Sequence, residues 1–313
     1  TGITHRQTLK MDWSHGHNQT IHNGISRIGF YMGGKAARFR DEDLGDEWVK
    51  RSNEWIEAHK DGPFFLYFAS HDIHVPRVPH ERFQGSTSLG FRGDSIVEFD
   101  WCVGELMKTL DRLKLADNTL IVLCSDNGPV LDDGYVDGAV TKLGSHQPAG
   151  PFSGGKYSVL EGGTRTPFIT RWPGRIKPGT SEQVVCTIDI AASVAALTGV
   201  ALKDDACLDS LNLLPALLGE PGAKGRDHLL QQDNNGTNLG LRMGDWKLVR
   251  QKNKGKSQAV VTKKKRQDAT GLYQLYFLPE DQAETKDVSQ QNPDKLKEMI
   301  AKMDAIVAAE TTR

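Results

Sequence analysis

The sequence of 313 residues predicts an α/β fold with a mixed, mostly parallel sheet flanked by helices. Two apolar runs, residues 64–69 and 119–125, are too short for stable helices and are typical of buried strands. A long amphipathic pattern lies between them and is typical of a helix. The order strand, helix, strand favours a parallel sheet whose neighbouring strands are joined by helical crossovers.

Helix signals flank the first predicted strand. The acidic residues Asp41–Asp43 open an amphipathic pattern that ends at Gly62 and Pro63. The helix after this strand has Asp94 and Ser95 as its predicted N-terminal cap. Its apolar stripe consists of Ile96, Val97, Phe99, Val103, Leu106, Met107, Leu110 and Leu113.

The second half of the chain predicts further strands and helices. Residues 167–172 are typical of a strand, and residues 187–197 of a helix that Gly199 closes. Residues 239–249 and 272–278 resemble antiparallel strands. The closing helix is predicted from apolar residues at helical spacing, Leu296, Met299, Ile300, Met303 and Ile306.

A change in composition near residues 219–222 predicts a domain boundary. We expect residues 1–222 to form one domain and residues 223–313 a smaller domain of antiparallel strands and a closing helix. Residues 1–40 are predicted to be a histidine-rich loop, and the basic run at residues 252–266 a solvated hairpin loop.

Composition excludes some classes of protein. The 39 Lys and Arg residues balance the 40 Asp and Glu residues, so we do not expect nucleic acid as the main partner. No apolar run is long enough to cross a bilayer. Of the four cysteines, Cys102 and Cys124 are expected to be buried thiols, whereas Cys186 and Cys207 could be bridged or free.

The first candidate for chemistry is the pair Asp126 and Asn127, directly after the strand at residues 119–125. In open α/β sheets, ligands bind at the carboxyl ends of strands. A carboxylate and an amide oxygen side by side suit a hard cation such as calcium. The alternative is an ordinary Asn-Gly-Pro turn in which Asp126 acts as a local cap.

Two further segments place reactive groups in loops. His71 and His74 follow the predicted strand at residues 64–69, and Lys156 lies in a loop with Gly154 and Gly155. Taken singly, His74 could be a hydrogen-bonded core histidine and Lys156 a surface lysine. The occurrence of all three segments in one chain favours a site for an anionic substrate.

Together these segments resemble type I formylglycine-dependent sulfatases of the alkaline-phosphatase-like superfamily. The resemblance runs from about Phe64 to the end of the chain. The chain as a whole is similar to about the C-terminal three-fifths of such an enzyme. It implies an alkaline-phosphatase-like fold that lacks its N-terminal part and ends in a small antiparallel sheet with a helix. The matching motifs lie at residues 63–67, 70–76, 125–129, 155–156, 161–165, 172–174 and 275–278.

The resemblance also implies roles for individual residues. Asp126 and Asn127 would be Ca²⁺ ligands, Lys156 would contact the sulfate, and His74 would bind the sulfate or protonate the leaving alcohol. Five residues in neighbouring loops either bind the sugar or only organise those loops: His71, Asp132, Asp133, His146 and Arg165.

The family's nucleophile is a formylglycine made from Cys or Ser in the motif Cys/Ser-x-Pro-x-Arg, and this sequence contains no such motif. The family's first pair of metal-binding aspartates is absent too. Because the chain opens with Thr1 in a polar stretch, we expect both features, and any export signal, to lie upstream. A formylglycine-generating or maturase enzyme would then be a partner.

The resemblance implies hydrolysis of carbohydrate or aryl sulfates, with sulfated galactose or N-acetylgalactosamine glycans as the expected substrates. It also implies a periplasmic or secreted location. Two alternatives stay open at this point. One is a non-catalytic protein that binds sulfated glycans, and the other is a phosphoester hydrolase of the same superfamily.

Overall fold

The computed structural model describes residues 41–75, 77–132, 137–252, 272–309 and 311. The loop predicted for residues 1–40 and most of the basic segment lie outside them. The chain divides into two compact units, of which the first comprises Thr1–Thr119 and Leu131–His146. The second comprises Leu120–Val130 and Gln147–Arg313. The domain boundary predicted near residue 222 stays a prediction.

Two packed helices dominate the first unit. Helix α1 spans Leu44–His59 and buries Val49 and Ile56. Helix α2 spans Phe91–Arg112 and packs against α1. The helices approach closely at Gly45, where a Cβ atom would lie 2.9 Å from Oε1 of Glu98. The two helices predicted for this region are therefore confirmed.

The cap predicted for α2 is wrong. Helix α2 begins at Phe91, with Gly90 at the N-cap position and φ of 67°. Asp94 therefore lies inside the first turn, and its carboxylate accepts hydrogen bonds from the backbone N–H groups of Gly85 and Thr87 at 2.9 and 3.0 Å. The side chain anchors the preceding loop because a glycine, which adopts positive φ readily, already starts the helix.

The buried strand predicted at residues 64–69 is not a strand in the structure. Side-chain exposure alternates along this segment, and Phe65 and Tyr67 are 66% and 81% exposed. A strand is defined by its hydrogen-bonded neighbour, and no segment within the described ranges pairs with this one. The sequence pattern therefore indicates an extended backbone without specifying a partner.

In the second unit, strand β1 spans Ile121–Cys124 and strand β2 spans Phe168–Arg171. Both strands were predicted, but they pair antiparallel, with Leu123 opposite Ile169. Parallel neighbours of β1 do not occur among the described residues. The parallel neighbour predicted from the order strand, helix, strand was the segment at residues 64–69, which is not a strand in the structure.

Three helices lie between β1 and the C-terminal sheet in the described part of the second unit. Helix α3 is a single turn at Glu161–Thr164, helix α4 spans Asp189–Thr198, and helix α5 is a single turn at Leu214–Leu217. Gly199 ends α4 with φ of 71°, in the left-handed conformation expected of a C-terminal glycine. Helix α4 and its glycine stop are thus confirmed.

A four-stranded antiparallel sheet forms the C-terminal part of the second unit. Its strands lie in the order β3, β4, β5, β6. The predicted strand at residues 239–249 is two strands joined by a turn at Gly244, whose φ is 55°. Strand β3 was not predicted. The strand bounds are His228–Gln232, Leu239–Met243, Trp246–Arg250 and Tyr273–Phe277.

Helix α6, Pro293–Ala309, closes the chain as predicted. Its Met299 and Met303 side chains are fully buried against Leu241, Leu248 and Leu275 of the sheet. This apolar layer is the core of the small antiparallel sheet and its helix, and it confirms that predicted architecture. None of the helices in the described segments is long and apolar enough to span a membrane.

Candidate functional site

Strand β1 delivers Asp126 and Asn127 to its carboxyl end, as predicted. The Asp126 side chain is exposed and Asn127 is half-buried. Oγ of Ser125 donates a hydrogen bond to the backbone oxygen of Asn127 at 3.0 Å, which shapes the turn. Two oxygen-bearing side chains therefore leave the strand together at an accessible position.

Backbone hydrogen bonds connect this turn directly to the lysine loop. The N–H of Gly128 donates to the carbonyl of Gly163 at 2.9 Å. The N–H of Lys156 donates to the carbonyl of Pro129 at 3.0 Å. The segments of Asp126 and Lys156 are thirty residues apart in the sequence. In the second unit they are neighbours and are joined by backbone hydrogen bonds.

Glycines make this close approach possible. A Cβ atom at Gly128 would overlap the carbonyl oxygen of Gly162. A Cβ atom at Gly163 would overlap the carbonyl oxygens of Ser158 and Gly155. Because the colliding atoms belong to the backbone, a neighbouring side chain cannot move aside to make room. The glycine-rich motif at residues 161–165 is therefore a packing requirement of the site.

Lys156 is half-buried and lies between two residues with positive φ. Gly154 has φ of 80°, and Tyr157 has φ of 79°, which is uncommon for a residue with a side chain. The Lys156 ammonium lies 5.4 Å from the centroid of the Tyr157 ring, within cation–π range. The loop conformation and this ring contact together restrict where the ammonium can lie.

Arg165 lies at the end of the same motif and is exposed. Its Nη1 lies 3.7 Å from Oε2 of Glu161, and its guanidinium lies 4.8 Å from the Phe152 ring centroid. These contacts account for its position in the loop. The predicted binding role of Arg165 stays a prediction.

Glu161 is the main electrostatic contact of this loop, and the sequence reasoning assigned it no role. Its buried carboxylate lies 2.9 Å from Nζ of Lys247 and 3.0 Å from Nη1 of Arg242. Burial raises the pKa of Glu161, but Lys247, Arg242 and Arg165 outweigh that effect and lower it overall. The sequence offered one signal for this contact: Lys247 is a charged residue among the apolar residues of strand β5, so it needs a buried partner of opposite charge.

His71 and His74 lie together in the first unit. Their ring centroids are 6.4 Å apart, and the N–H of His74 donates to the carbonyl of His71 at 3.0 Å. Nδ1 of His74 lies 2.6 Å from the carbonyl oxygen of Val75. Since a carbonyl can only accept, Nδ1 must be protonated, and Nε2 is then the nitrogen that can gain or donate a proton.

Asp72, between these histidines, was not predicted as a site residue. Oγ of Ser70 donates a hydrogen bond to its carboxylate at 3.1 Å. Burial raises the pKa of Asp72 to about 6, and the contact with Ser70 offsets only part of that rise. A carboxyl that titrates near neutral pH therefore lies beside the histidine pair.

The other predicted binding residues of the first unit are Asp132, Asp133 and His146. Asp132 and His146 are exposed, and Asp133 lies outside the described residues. Partial burial and then the charge of Arg92 lower the pKa of His146. At neutral pH this shift favours an uncharged imidazole.

The donor chemistry of Asp126 and Asn127 fits a hard cation such as calcium. The negative charge of Asp126 also affects a neighbouring residue. Burial, and to a smaller extent this charge, raise the pKa of the Cys124 thiol. No cluster of three or more His, Cys, Asp or Glu side chains in metal-binding geometry occurs within the described parts of the chain. These two residues would therefore supply only part of a calcium shell.

Comparison with known proteins identifies related chains. A family model described as Sulfatase matches residues 3–200. An N-acetylgalactosamine-6-O-sulfatase of Bacteroides thetaiotaomicron is 43% identical over 307 residues, which is 98% of this chain and 59% of that protein. Human arylsulfatase A is 36% identical over 160 residues, 51% of this chain and 30% of that enzyme.

Solved structures show the same relationship. A structure from work on glycosaminoglycan metabolism by Bacteroides thetaiotaomicron matches with a TM-score of 0.85 and 42% identity, over 98% of this chain and 63% of that one. The PsFucS1 sulfatase of Pseudoalteromonas shares the fold, with a TM-score of 0.71 over 85% of this chain and 53% of that one, at 24% identity. The chain spans 59% of the N-acetylgalactosamine-6-O-sulfatase and 63% of the structure from the glycosaminoglycan work, so it covers about three-fifths of each of these two relatives.

Proposed function

This chain belongs to the sulfatase family, and from that premise we propose that the protein hydrolyses sulfate esters of carbohydrates, with N-acetylgalactosamine 6-sulfate as its substrate group. The alkaline-phosphatase-like fold predicted from the sequence is the fold of its structural neighbours. The proposal depends mainly on one observation. The turn with Asp126 and Asn127 is hydrogen-bonded to the loop of Lys156, so the proposed calcium ligands and the proposed sulfate contact lie on neighbouring segments.

Lys156 would neutralise charge on the sulfate. A sulfate ester gains negative charge on its oxygens as the ester bond breaks, so a fixed ammonium lowers the barrier. Calcium held in part by Asp126 and Asn127 would supply further positive charge to the same oxygens. The hydrogen bond from the N–H of Lys156 to Pro129 keeps the lysine loop next to the metal-binding turn.

His74 would protonate the departing alcohol or bind the sulfate. Nδ1 of His74 donates to the carbonyl of Val75, which directs proton exchange to Nε2. An imidazolium at this position could donate its Nε2 proton to the departing sugar oxygen. His71, Asp132 and Arg165 are proposed to contact the sugar or to organise their loops.

No residue of this sequence fits the formylglycine nucleophile, because the motif Cys/Ser-x-Pro-x-Arg does not occur in it. We propose that a formylglycine-generating or maturase enzyme acts on the protein and that the protein works in the periplasm or outside the cell. Support for these two points comes only from the family.

The test is sulfate release from N-acetylgalactosamine 6-sulfate by the protein expressed from its native start codon, together with a maturase. Lys156→Ala is expected to lower kcat by about 10²–10³ because one stabilising charge is lost. Lys177→Ala is the matched control, because Lys177 is an exposed lysine of the same unit. Equal rates for Lys156→Ala and the unsubstituted protein would overturn the proposed role.

Two assays separate the alternatives. Parallel measurements with an aryl sulfate and an aryl phosphate distinguish a sulfatase from a phosphoester hydrolase of the same superfamily. Equilibrium binding of the sulfated sugar without any turnover of either ester would support the non-catalytic glycan-binding alternative. The proposal requires turnover of the sulfate ester in preference to the phosphate ester.

A further inference from the structure

Two buried arginines of the first unit, Arg77 and Arg92, lie near the carboxylate of Asp137, which pairs with Arg77 only. Arg77 is 3% exposed and donates from Nη1 to Oδ2 of Asp137 at 2.5 Å and from Nε to the carbonyl of Ile73 at 3.1 Å. The other oxygen of Asp137 accepts the N–H of Ala139 at 2.9 Å. Asp137 is therefore committed to Arg77 and to its own loop.

The second arginine, Arg92, has no such partner. It is 7% exposed, and its Nη1 finds no hydrogen-bond partner among the described residues. Burial, and then the charge of Arg77, lower the pKa of Arg92 to about 10, and Asp137 offsets only part of this. A buried guanidinium N–H without an acceptor is destabilising, because the group loses its hydrogen bonds to water without replacement, so its retention calls for an explanation.

A lysine, a histidine and a helix N-terminus lie near Arg92. Arg92 lies in the first turn of α2, whose N-cap Gly90 has no capping side chain. The Nζ of Lys142 lies 3.7 Å from where a Cβ of Gly90 would be, so Lys142 approaches this helix end. His146 lies close enough for Arg92 to lower its pKa. Helix N-termini themselves favour anions.

The negative charges nearby are already used. Asp94, in the same turn of α2, accepts hydrogen bonds from Gly85 and Thr87. Asp137 is paired with Arg77. Among the described residues named here, two carboxylates stand against the three cationic side chains of Arg77, Arg92 and Lys142, so their summed charge is positive.

We propose that Arg92, with Lys142 and the N-terminus of α2, forms an oxyanion-binding site in the first unit. The ligand class is a sulfate, phosphate or carboxylate group, because a guanidinium edge and helix N–H groups bind such oxygens most strongly. The source can be a free anion or an anionic group carried by a sugar. The inference does not depend on the proposed hydrolysis.

The primary experiment observes Arg92 directly in the unsubstituted protein. Its Nε–Hε resonance, assigned by its disappearance in Arg92→Gln, is followed during titration with sodium sulfate against sodium chloride at equal ionic strength. We expect a saturable shift of this resonance with sulfate and none with chloride. Absence of a saturable shift with sulfate, phosphate and glucuronate would overturn the proposal without reference to any variant.

A second measurement compares affinities by calorimetry in the Lys156→Ala background, which removes the other proposed sulfate contact. Arg92→Gln is expected to weaken sulfate binding at least about tenfold, as loss of a charge-assisted hydrogen bond requires. The sulfate affinity of Arg92→Lys is expected to lie between those of the parent and of Arg92→Gln. Arg112→Gln is the control, because Arg112 is an exposed arginine of the same helix. Equal binding by Arg92→Gln and its parent would contradict the proposal.

The source of the anion is read from the same titration. Tighter binding of galactose 6-sulfate or glucuronate than of inorganic sulfate would support a sugar-borne group, and equal binding would support a free anion. Galactose alone must not shift the Arg92 resonance. Loss of hydrolysis in Lys156→Ala with retained sulfate binding at Arg92 would separate this site from the proposed catalytic role.

Discussion

Nζ of Lys247 lies 2.9 Å from Oε1 of Glu161, and both side chains are almost completely buried. This ion pair joins strand β5 of the C-terminal sheet to the motif that follows Lys156. Lys247 also donates to Oε1 of Gln231 at 2.6 Å, and Arg242 shares the carboxylate of Glu161. The C-terminal sheet therefore helps to position the lysine loop.

Removing Lys247 should destabilise the protein strongly. Lys247→Met leaves Glu161 buried with less compensating charge, and breaking a buried pair typically costs about 3–5 kcal/mol. Urea unfolding measures the change. Lys108→Met is the control: Lys108 pairs with Glu105 at 2.7 Å but is 72% exposed, so its loss should cost less than about 1 kcal/mol. Similar losses for both variants would contradict this account.

Because the pKa of Glu98 is raised in the folded protein, we expect the free energy of unfolding to fall as the pH rises. Burial, and then the charge of Asp72, raise the pKa of Glu98 to about 8, while the N–H of His80 and the charge of Arg82 lower it and Asp46 raises it. The folded state thus binds a proton that the unfolded state releases above about pH 4.5. Unfolding free energy should therefore fall by up to about 3 kcal/mol between pH 5 and pH 8 and level off above that.

The measurement is urea unfolding from pH 5 to pH 8.5. Glu98→Gln keeps the shape of the side chain without a charge, so it should flatten this dependence and raise stability at pH 8. Glu54→Gln on the exposed face of α1 should leave the profile unchanged. An unaltered slope in Glu98→Gln would show that another group titrates.

The glycine contacts predict that alanine substitutions at Gly128 and Gly179 will change stability by different amounts. Gly128→Ala places a methyl group against the backbone of Gly162, which should cost about 1–3 kcal/mol. Gly179→Ala meets no atom within 4 Å and should change stability by less than about 0.5 kcal/mol. Thermal unfolding of the two variants decides the point. A Gly128→Ala variant as stable as its parent would show that the turn can shift.

The four cysteines should react at very different rates with a thiol reagent. All four are free, so the bridge left open between Cys186 and Cys207 is not formed. Cys207 is exposed and should react first. Cys102 is buried, and burial raises the pKa of its thiol to about 12, so it should react only after unfolding. Rapid modification of Cys102 in the folded protein would contradict the packing of α1 against α2.

Local patterns gave reliable predictions where neighbouring residues decide the structure. Helix α4 ends at Gly199 because glycine tolerates the left-handed conformation there. Helix α6 buries Met299 and Met303 because helical spacing places them on one face. The start of α2 was misplaced because Asp94 has two possible uses, as a cap or as an anchor for the preceding loop.

The sequence by itself determined which segments hold the chemical groups: Asp126 and Asn127 after a strand, Lys156 between glycines, and His74 in a histidine pair. Only the tertiary structure decided that β1 pairs antiparallel with β2 and that Glu161 meets Lys247, 86 residues away. It also left Nη1 of Arg92 without an acceptor among the described residues, beside the pair Arg77 and Asp137. Turns and helix faces depend on near neighbours, whereas strand partners and buried charges depend on contacts between distant residues.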